Sequence, residues 1–277
     1  FTSMTIKKGV IKRLSPEVEA IMFESSSPYI TGAGYRSLCD FKFDDYESFN
    51  VDLIEQFDGM KIFVKTDMII TFALQLLPKI EKNFILYTHN SDLAIVPDPQ
   101  LLEILNNSKL TEWNAQNVCF KHNKLKSIPI GISNKMWKIG NTDVFEDIKS
   151  SKEVLKDNMV YCNFDLNTNG QERVKCLNEI NLTMSPKVNH DEYIKNISKS
   201  YFVISPDGNG VDCHRHWEAL YVKTIPIVTN SITIENFSDF PFLVLDRWED
   251  FKNITLSEEL YNEIWSEFNE EKLHLKL

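Results

Sequence analysis

Short apolar runs alternate along this chain with longer segments in which apolar positions recur at helical spacing. This alternation is typical of α/β folds, where an apolar run forms a buried strand and an amphipathic segment forms a helix that packs on the sheet. The pattern therefore predicts an α/β protein. The predicted strands are 61–65, 84–88, 126–130, 159–163, 201–205, 225–229 and 242–246, and the predicted helices are 68–81, 98–106, 171–180, 213–222 and 257–276.

A polar and charged stretch at 140–158 separates two series of strand–helix–strand units. We therefore predict two Rossmann-like domains that face a cleft, an N-terminal one at 4–150 and a C-terminal one at 151–256. The last segment, 257–277, is predicted to be a helix that packs back across both domains, and Met4 is the expected start of the native chain. In open α/β sheets, ligands bind beyond the carboxyl ends of the strands, so polar residues that follow the predicted strands are the candidate site residues.

The chain has 277 residues and a formal net charge of −10, from 40 acidic and 30 basic side chains. An acidic surface repels phosphate backbones, so we expect no general nucleic-acid binding, although one phosphorylated ligand can still bind in a local basic pocket. No apolar stretch approaches the ~20 residues of a membrane-spanning helix and no signal peptide is visible, so we predict no membrane span and a cytoplasmic location. The five cysteines include no C-x-x-C pair, which favours free thiols over disulfides or a Cys-rich zinc site.

The segment 204–230 carries the densest chemical pattern of the chain. A predicted strand ends in a glycine-bearing loop, and a helix begins near Asp212, where free backbone N–H groups favour an anion. Arg215 adds a permanent positive charge in the first helical turn, and Glu218 follows on the same helical face, where its carboxylate can accept both hydroxyls of a ribose. The pattern predicts a diphosphate clamp beside a ribose acceptor. Its candidate residues are Ser205, Asp207, Gly208, Asn209, Gly210, Arg215 and Glu218.

The same spacing also fits a plain β–α–β unit with a glycine-rich turn and an Arg–Glu pair on a solvated helix face. The residues alone leave both interpretations open. The loop is neither G-x-G-x-x-G nor a Walker loop, so it does not favour a dinucleotide-binding fold or an NTPase. The run C-H-R-H at 213–216 lacks the usual spacing of zinc ligands, so a zinc site is not favoured either.

The run from Ser205 to Val228 resembles the nucleotide-sugar-binding segment of exostosin-like (GT47-type) glycosyltransferases. It reads S-P-x-G-N-G-x-D-x-x-R-x-W-E-A-L-Y-x-x-x-I-P-I-V. Five other segments look like a soluble branch of the same family, so the resemblance covers residues 60–250. These segments are 64–67 (V-K-T-D), 88–92 (T-H-N-S-D), 113–117 (W-N-A-Q-N), 128–134 (I-P-I-G-I-S-N) and 163–173 (N-F-D-L-N-T-N-x-x-x-R).

The resemblance implies a GT-B fold, with the acceptor site mainly in the first domain and the nucleotide-sugar site in the second. It implies inverting transfer of a sugar from a UDP-sugar to a hydroxyl of a glycan or glycoprotein acceptor, with xylose as the first candidate for the sugar. It also implies that Arg173 and Arg215 bind the diphosphate and that Glu218 binds the ribose. Animal exostosins have a longer chain and a membrane anchor, neither of which this sequence shows, so we expect a viral or microbial enzyme of the host or microbial cytoplasm.

An inverting transfer needs a base for the acceptor hydroxyl and positive charge for the departing diphosphate. The chain has no D-x-D pair, with which many GT-A enzymes hold a metal ion. We therefore predict catalysis without a metal or other cofactor, in which Arg173, Arg215 and helix N–H groups stabilise the diphosphate. Asp92 and Asp67 follow predicted strands of the first domain and are the candidate bases, with a slight preference for Asp92. Each can instead serve a local turn or cap a helix.

Acceptor-binding side chains are expected at the same strand ends, because imidazole and amide groups suit sugar hydroxyls. Histidines and asparagines of loops also tie down their own backbone, so this role has a structural alternative. Two other functions stay open: a non-catalytic nucleotide-sugar or glycan-binding protein on the same scaffold, and a sugar-nucleotide phosphorylase or hydrolase. The candidate acceptor residues are His89, Asn90, Asn114 and Gln116.

Overall fold

A computed structural model of the chain describes residues 5–7, 10–12, 15–151 and 155–277. The chain divides into two compact units, the first with residues up to 138 together with 275–277, and the second with 139–274. The expected start at Met4 lies outside the described residues. The helix at Asp143–Ser150, which the predicted boundary assigned to the first domain, belongs to the second unit.

The first unit is organised around one sheet, in which five neighbouring strands run parallel and the remaining three are antiparallel to their neighbours. Its strands are β1 (Thr5–Lys7), β2 (Val10–Lys12), β3 (Phe41–Phe43), β4 (Glu47–Ser48), β5 (Met60–Lys65), β6 (Phe84–His89), β7 (Leu110–Ala115) and β8 (Leu125–Ser127). They follow the order β1-β2-β4-β3-β5-β6-β7-β8, so the parallel set is β3 and β5 to β8.

Helices of the first unit cover the two faces of this sheet. They are α1 (Pro16–Met22), α2 (Gly32–Ser37), α3 (Ile69–Gln75) and α4 (Pro99–Leu105). Asp98 caps α4 as predicted, since its Oδ1 accepts the Leu101 N–H at 2.8 Å. The single helix predicted at 68–81 is wrong: α3 ends at Gln75, because Pro78 has no N–H to continue the helical ladder, and a 3₁₀ turn follows.

Strand β7 is absent from the sequence prediction, as are β1 to β4. Three polar residues, Thr111, Glu112 and Asn114, interrupt its apolar ones, so it forms no apolar run. Trp113 of β7 is fully buried and its indole N–H donates to Thr88 Oγ1 at 2.9 Å. Asn114, on the opposite face, pairs in register with Tyr87 of β6. The predicted strand 126–130 is shifted, because β8 ends at Ser127, two residues before a proline that cannot donate to the ladder.

The second unit has a smaller sheet, all of whose strands are parallel. The strands are β9 (Asn158–Tyr161), β10 (Ser200–Ile204), β11 (Ile225–Thr229) and β12 (Leu243–Leu245), in the order β12-β11-β10-β9. The helices are α5 (Asp143–Ser150), α6 (Gly170–Ile180), α7 (His190–Ser198), α8 (His214–Tyr221), α9 (Ile232–Asn236) and α10 (Glu258–Trp265). The predicted α/β class is confirmed, with a mostly parallel sheet in one unit and a parallel sheet in the other.

The final predicted helix, 257–276, is wrong in its extent. Helix α10 ends at Trp265, and a separate 3₁₀ turn covers Glu270–Leu273. Trp265 stacks on Tyr261 at 6.0 Å between ring centroids, and Phe268 lies 5.9 Å from Phe240. These contacts tie the segment to the core of the second unit. No helix among the described residues is long and apolar enough to cross a membrane.

Gly131 fixes the path of the chain between β8 and the residues that follow it. Its φ is +68°, and a Cβ built there would lie 2.0 Å from the carbonyl oxygen of Ile30. That same carbonyl accepts the Ile132 N–H at 2.9 Å, so the two segments approach each other through backbone alone. Only glycine satisfies both the dihedral angle and the space.

We expect Gly131→Ala to lower the free energy of unfolding by about 2 kcal/mol or more, because alanine meets both positive-φ strain and a backbone clash. Gly170→Ala is the matched control, since a Cβ at this first residue of α6 meets nothing within 4 Å. Urea unfolding followed by tryptophan fluorescence compares the two. Equal midpoints for both variants would contradict the close approach at Ile30.

Candidate functional site

The carboxyl edge of the second sheet brings together residues from three separate segments. Strand β10 leads into the loop that holds Asp207 and Gly208, α6 carries Arg173, and α8 carries Arg215 and Glu218. Parallel strands place the loops that follow them at one edge, which explains why segments far apart in sequence meet there. These residues form what we call the arginine site: Phe164, Arg173, Asp207, Gly208, Arg215 and Glu218.

Arg173 is held by backbone carbonyls alone. Its Nε donates to the carbonyl of Asp207 at 3.0 Å and its Nη1 donates to the carbonyl of Asp165 at 2.8 Å. Among the described residues, Nη2 has no hydrogen-bond partner and no carboxylate lies within 4 Å of the guanidinium. Gly208 leaves room for that free nitrogen, because a Cβ there would lie 3.2 Å from Nη2.

Arg215 is held in a similar way from the other side. Its Nε donates to the hydroxyl of Tyr193 at 2.6 Å, and its Nη1 donates to the carbonyl of Pro206 at 3.4 Å. No described carboxylate lies within 4 Å of this guanidinium either. The Cζ atoms of Arg173 and Arg215 lie 5.9 Å and 5.8 Å from the ring centroid of Phe164, so one aromatic ring contacts both cations.

Two positive charges therefore lie close together without a counter-charge in contact. Burial, and then the neighbouring charge of Arg215, lower the pKa of Arg173 below its ordinary value. Burial also acts against the charge of Arg215, but Tyr193 and other groups outweigh it and raise the pKa of this arginine. A pair of guanidinium groups with free Nη2 donors is suited to bind an anion that offers several oxygens.

Glu218 lies one helical turn after Arg215 on α8, and its side chain is 7% exposed. Its Oε2 lies 2.6 Å from Nε2 of His190, the first residue of α7. Within the described part of the chain, Oε1 accepts no hydrogen bond. The carboxylate thus has one oxygen fixed by the protein and one oxygen available to a donor on a ligand.

The other predicted residues of this loop lie around the arginine site in different ways. Ser205 is fully buried and its Oγ lies 2.7 Å from Nδ1 of His216, so its hydroxyl is engaged inside the unit. Asn209 is exposed and Gly210 is half-buried at the loop surface. Asn169, which the sequence analysis missed, ties the loop to α6, because its Nδ2 donates to the carbonyl of Gly208 at 3.0 Å.

In the first unit, the carboxyl end of β6 is engaged by its own neighbours. Nε2 of His89 lies 3.0 Å from the carbonyl oxygen of Pro129, and Nδ1 accepts the Asn90 N–H at 2.7 Å. The Asn90 Oδ1 accepts from Asn134 Nδ2 at 3.1 Å. Gly32 approaches both side chains, since a Cβ there would lie 1.9 Å from Asn90 Oδ1. Both ring nitrogens of His89 are therefore occupied before any ligand binds.

The amides of Asn114 and Gln116 differ from those neighbours because each has an unpaired polar atom. Asn114 is 8% exposed and Gln116 is 2% exposed. Asn114 Nδ2 and Gln116 Oε1 are buried without a hydrogen-bond partner among the described residues. Asn114 lies in β7, and Gln116 directly follows the last residue of that strand. A buried donor and acceptor without partners mark a place where water or a ligand hydroxyl binds.

The two candidate bases occupy exposed positions. Asp67 pairs with Lys65 at 3.2 Å, and the same lysine pairs with Asp45 at 2.7 Å. Asp67 does not cap α3, whose N-cap residue is Met68. Asp92 lies in the loop after β6, where its carbonyl accepts from Asn117 Nδ2 at 3.3 Å and its side chain is exposed.

The sequence analysis singled out neither Phe164 of the arginine site nor Asn169, His190 and Tyr193, which contact residues of that site. Phe164 falls inside a segment that carried the family resemblance, so it could have been found there. His190 and Tyr193 stand in an ordinary amphipathic helix, and nothing in the sequence indicated that they face α8. No group of three or more His, Cys, Asp or Glu side chains in the described ranges is arranged to hold a metal ion.

No protein-family model matches this chain, and a search of the curated proteins gives no match either.

We expect any anion binding at the arginine site to depend on pH through Asp207. Burial is the main cause that raises the pKa of its carboxyl to about 6. Below that pH the group is neutral, and above it a negative charge lies beside Arg173. The charge of sulfate is constant in this range. The affinity of the site for sulfate should therefore fall by roughly threefold or more as the pH rises through 6.

Asp207→Asn should remove this pH step and bind sulfate at high pH as tightly as the wild type does at low pH. Thermal stabilisation by sulfate, against chloride at matched ionic strength, measures the affinity of both proteins across the range. A pH step that persists in Asp207→Asn would assign it to another group.

Proposed function

We propose that this protein is an inverting glycosyltransferase of the GT-B type, with a UDP-sugar site in the second unit. Xylose is the first candidate for the transferred sugar. The single observation that carries the proposal is the arginine site: Arg173 and Arg215 have no carboxylate in contact among the described residues, and Glu218 offers a free oxygen one turn away.

The charge distribution supports a nucleotide diphosphate over a simple anion. A diphosphate brings several oxygens and more than one negative charge, which match two forked cations with free Nη2 atoms. The carboxylate of Glu218 would repel an inorganic anion. It favours a ligand that also carries hydroxyls, such as the ribose of a nucleotide, because Oε1 of Glu218 can accept hydrogen bonds from them.

Glycosyl transfer also requires that negative charge be stabilised as the bond to the sugar breaks. The two guanidinium groups are fixed before the ligand arrives, by the carbonyls of Asp165, Asp207 and Pro206 and the hydroxyl of Tyr193. Preorganised charge of this kind stabilises a leaving diphosphate without reorganisation during the reaction. In this mechanism the arginines do the work that a divalent cation does in metal-dependent transferases.

The acceptor role belongs to the first unit in this proposal. Asn114 and Gln116 supply a buried amide donor and a buried amide acceptor that fit a sugar hydroxyl. Asp92 or Asp67 takes the proton from the attacking hydroxyl. The exposure of Asp92 and the Lys65 pair of Asp67 favour a second candidate function, a non-catalytic nucleotide-sugar-binding protein, in which neither aspartate has a chemical role.

Arg173→Ala and Arg215→Ala should each weaken UDP-sugar binding by about tenfold to a hundredfold, because each removes charged hydrogen bonds to the diphosphate. Arg247→Ala is the matched control, since Arg247 is an exposed arginine of the same unit. Calorimetry with UDP-xylose, UDP-glucose, UDP-galactose, UDP-glucuronate and GDP-fucose, in EDTA and in Mn²⁺, measures the affinities. Binding to none of them, or equal loss in the control, would overturn the donor site, and binding only with Mn²⁺ would overturn the metal-free mechanism.

The base is tested by UDP release from the donor that binds best, with and without a panel of methyl glycosides as acceptors. Asp92→Asn or Asp67→Asn should lower acceptor-stimulated release by about a hundredfold or more while donor binding stays intact. Asp52→Asn, an exposed aspartate of the same unit, is the control. Release that no acceptor stimulates would indicate a hydrolase, and no release at all would indicate the binding protein.

A further inference from the structure

Two residues of helix α7 contact Arg215 and Glu218, the two residues of α8 in the arginine site. His190 and Tyr193 are three apart on α7, and Arg215 and Glu218 are three apart on α8. Residues at this spacing lie on one face of a helix, so the two pairs meet face to face. His190 bonds Glu218 at 2.6 Å, and the hydroxyl of Tyr193 accepts from Arg215 at 2.6 Å.

The contact from His190 uses one carboxylate oxygen of Glu218, and the contact from Tyr193 uses one guanidinium nitrogen of Arg215. Each leaves another polar atom of the same side chain for a ligand. His190 takes Oε2 of Glu218, while Oε1 has no partner among the described residues. Tyr193 accepts from Nε of Arg215, while Nη2 of Arg215 has no hydrogen-bond partner in the part of the chain that the structure describes. The long side chains of Glu218 and Arg215 have several rotatable bonds, and these contacts hold them in one orientation before a ligand binds.

Tyr193 is itself fixed by a second layer of aromatic and amide groups. Its ring lies 5.9 Å from the ring of Tyr161. The hydroxyl of Tyr161 accepts from Asn163 Nδ2 at 2.9 Å and from Asn196 Nδ2 at 3.3 Å. Since Asn196 also belongs to α7, the helix and the end of β9 form one network behind the arginine site.

The charge on His190 follows from its surroundings. Burial opposes protonation, but the hydrogen bond and charge of Glu218, with the charge of Asp191, outweigh it and raise the pKa of the imidazole. Helix α5 and strand β10 also pack against α7, and the charges that act on His190 come from Glu218 and Asp191. A protonated His190 fixes the Glu218 carboxylate and offsets its negative charge.

We propose that His190 and Tyr193 are positioning residues of the nucleotide site, His190 for the ribose through Glu218 and Tyr193 for the diphosphate through Arg215. This assignment rests on the proposed function of the arginine site. The two residues act on different parts of the ligand, so their effects can be measured separately. We call these effects the ribose increment and the diphosphate increment, and each is a ratio of two affinities.

The ribose increment is the ratio of the affinities for UDP and for 2′-deoxy-UDP. The phosphates of these probes titrate alike, and Asp207 acts on both, so the ratio isolates the contact to the 2′-hydroxyl. The wild type should bind UDP about tenfold to a hundredfold more tightly, and Glu218→Gln should reduce this preference. His190→Gln should reduce it by roughly threefold or more, because glutamine can donate to Glu218 but carries no charge.

The same ratio in the wild type should fall with rising pH, because the raised pKa of His190 keeps the imidazole charged at lower pH and deprotonation removes that charge. His190→Gln should show no such fall. His274→Gln, a change at an exposed histidine of the same unit, should keep both the ratio and its pH dependence. The wild-type pH series needs no variant, so it tests the assignment even where His190→Gln does not fold.

The diphosphate increment is the ratio of the affinities for UDP and for uridine. Tyr193→Phe keeps the ring and removes the hydroxyl that holds Arg215, so this ratio should fall by roughly threefold or more while the preference for UDP over 2′-deoxy-UDP is unchanged. Calorimetric titration of all variants gives both ratios.

The outcomes separate this assignment from the proposed function. No binding of UDP by the wild type overturns both. If Arg215→Ala weakens UDP binding, the donor site stands. The role of His190 alone is then overturned if His190→Gln loses affinity for UDP and 2′-deoxy-UDP equally and the wild-type ratio does not depend on pH. An unchanged ratio of UDP to uridine in Tyr193→Phe overturns the role of Tyr193 alone.

Discussion

The repulsion between Arg173 and Arg215 is the constraint around which the second unit is organised. Both guanidinium groups contact the ring of Phe164, and neither has a carboxylate within 4 Å among the described residues. Backbone carbonyls and the hydroxyl of Tyr193 hold them in place through hydrogen bonds. The arrangement is unfavourable for the charge of Arg173, because burial and the neighbouring charge of Arg215 lower the pKa of this residue. An anionic ligand beside Arg173 would offset that penalty, so the same feature would favour the anion binding that we propose.

Arg36 in the first unit shows what a structural arginine looks like in this protein. Its side chain is 3% exposed, and it pairs with Asp44 at 2.6 Å and with Glu19 at 2.9 Å. Its guanidinium also lies over the ring of Phe23. Glu47 of β4 also lies 3.9 Å from its Nη2, so three carboxylates compensate one buried cation, which joins α1, α2, the end of β3 and β4. The contrast indicates that the missing counter-charges at Arg173 and Arg215 are a property of the site and not of buried arginines in general.

Continuous apolar runs made the parallel strands of the second unit predictable, and β11 has the predicted bounds. The same criterion missed β7, because its polar residues face the other side of the sheet and interrupt the run. The sequence also predicted that Arg173, Arg215 and Glu218 bind the nucleotide-sugar donor, and the fold does bring these three residues together. It could not predict His190 or Tyr193, since helix-to-helix contacts depend on how α7 packs and leave no spacing signal. The free atoms of Asn114 and Gln116 likewise become visible only once burial is known.

The densest stretch of the sequence serves packing as much as binding. On α8, Trp217 is fully buried, and its indole N–H donates to Asp212 at 2.8 Å. Its ring meets the edges of Phe237 and Phe240. The packing of Trp217 and its hydrogen bond to Asp212 explain the D and the W of the run without any ligand. A similar run in another protein would therefore indicate a similar β–α–β unit first. Arg173 favours a binding role more strongly than the run does, because it comes from a different helix and brings a second positive charge beside Arg215.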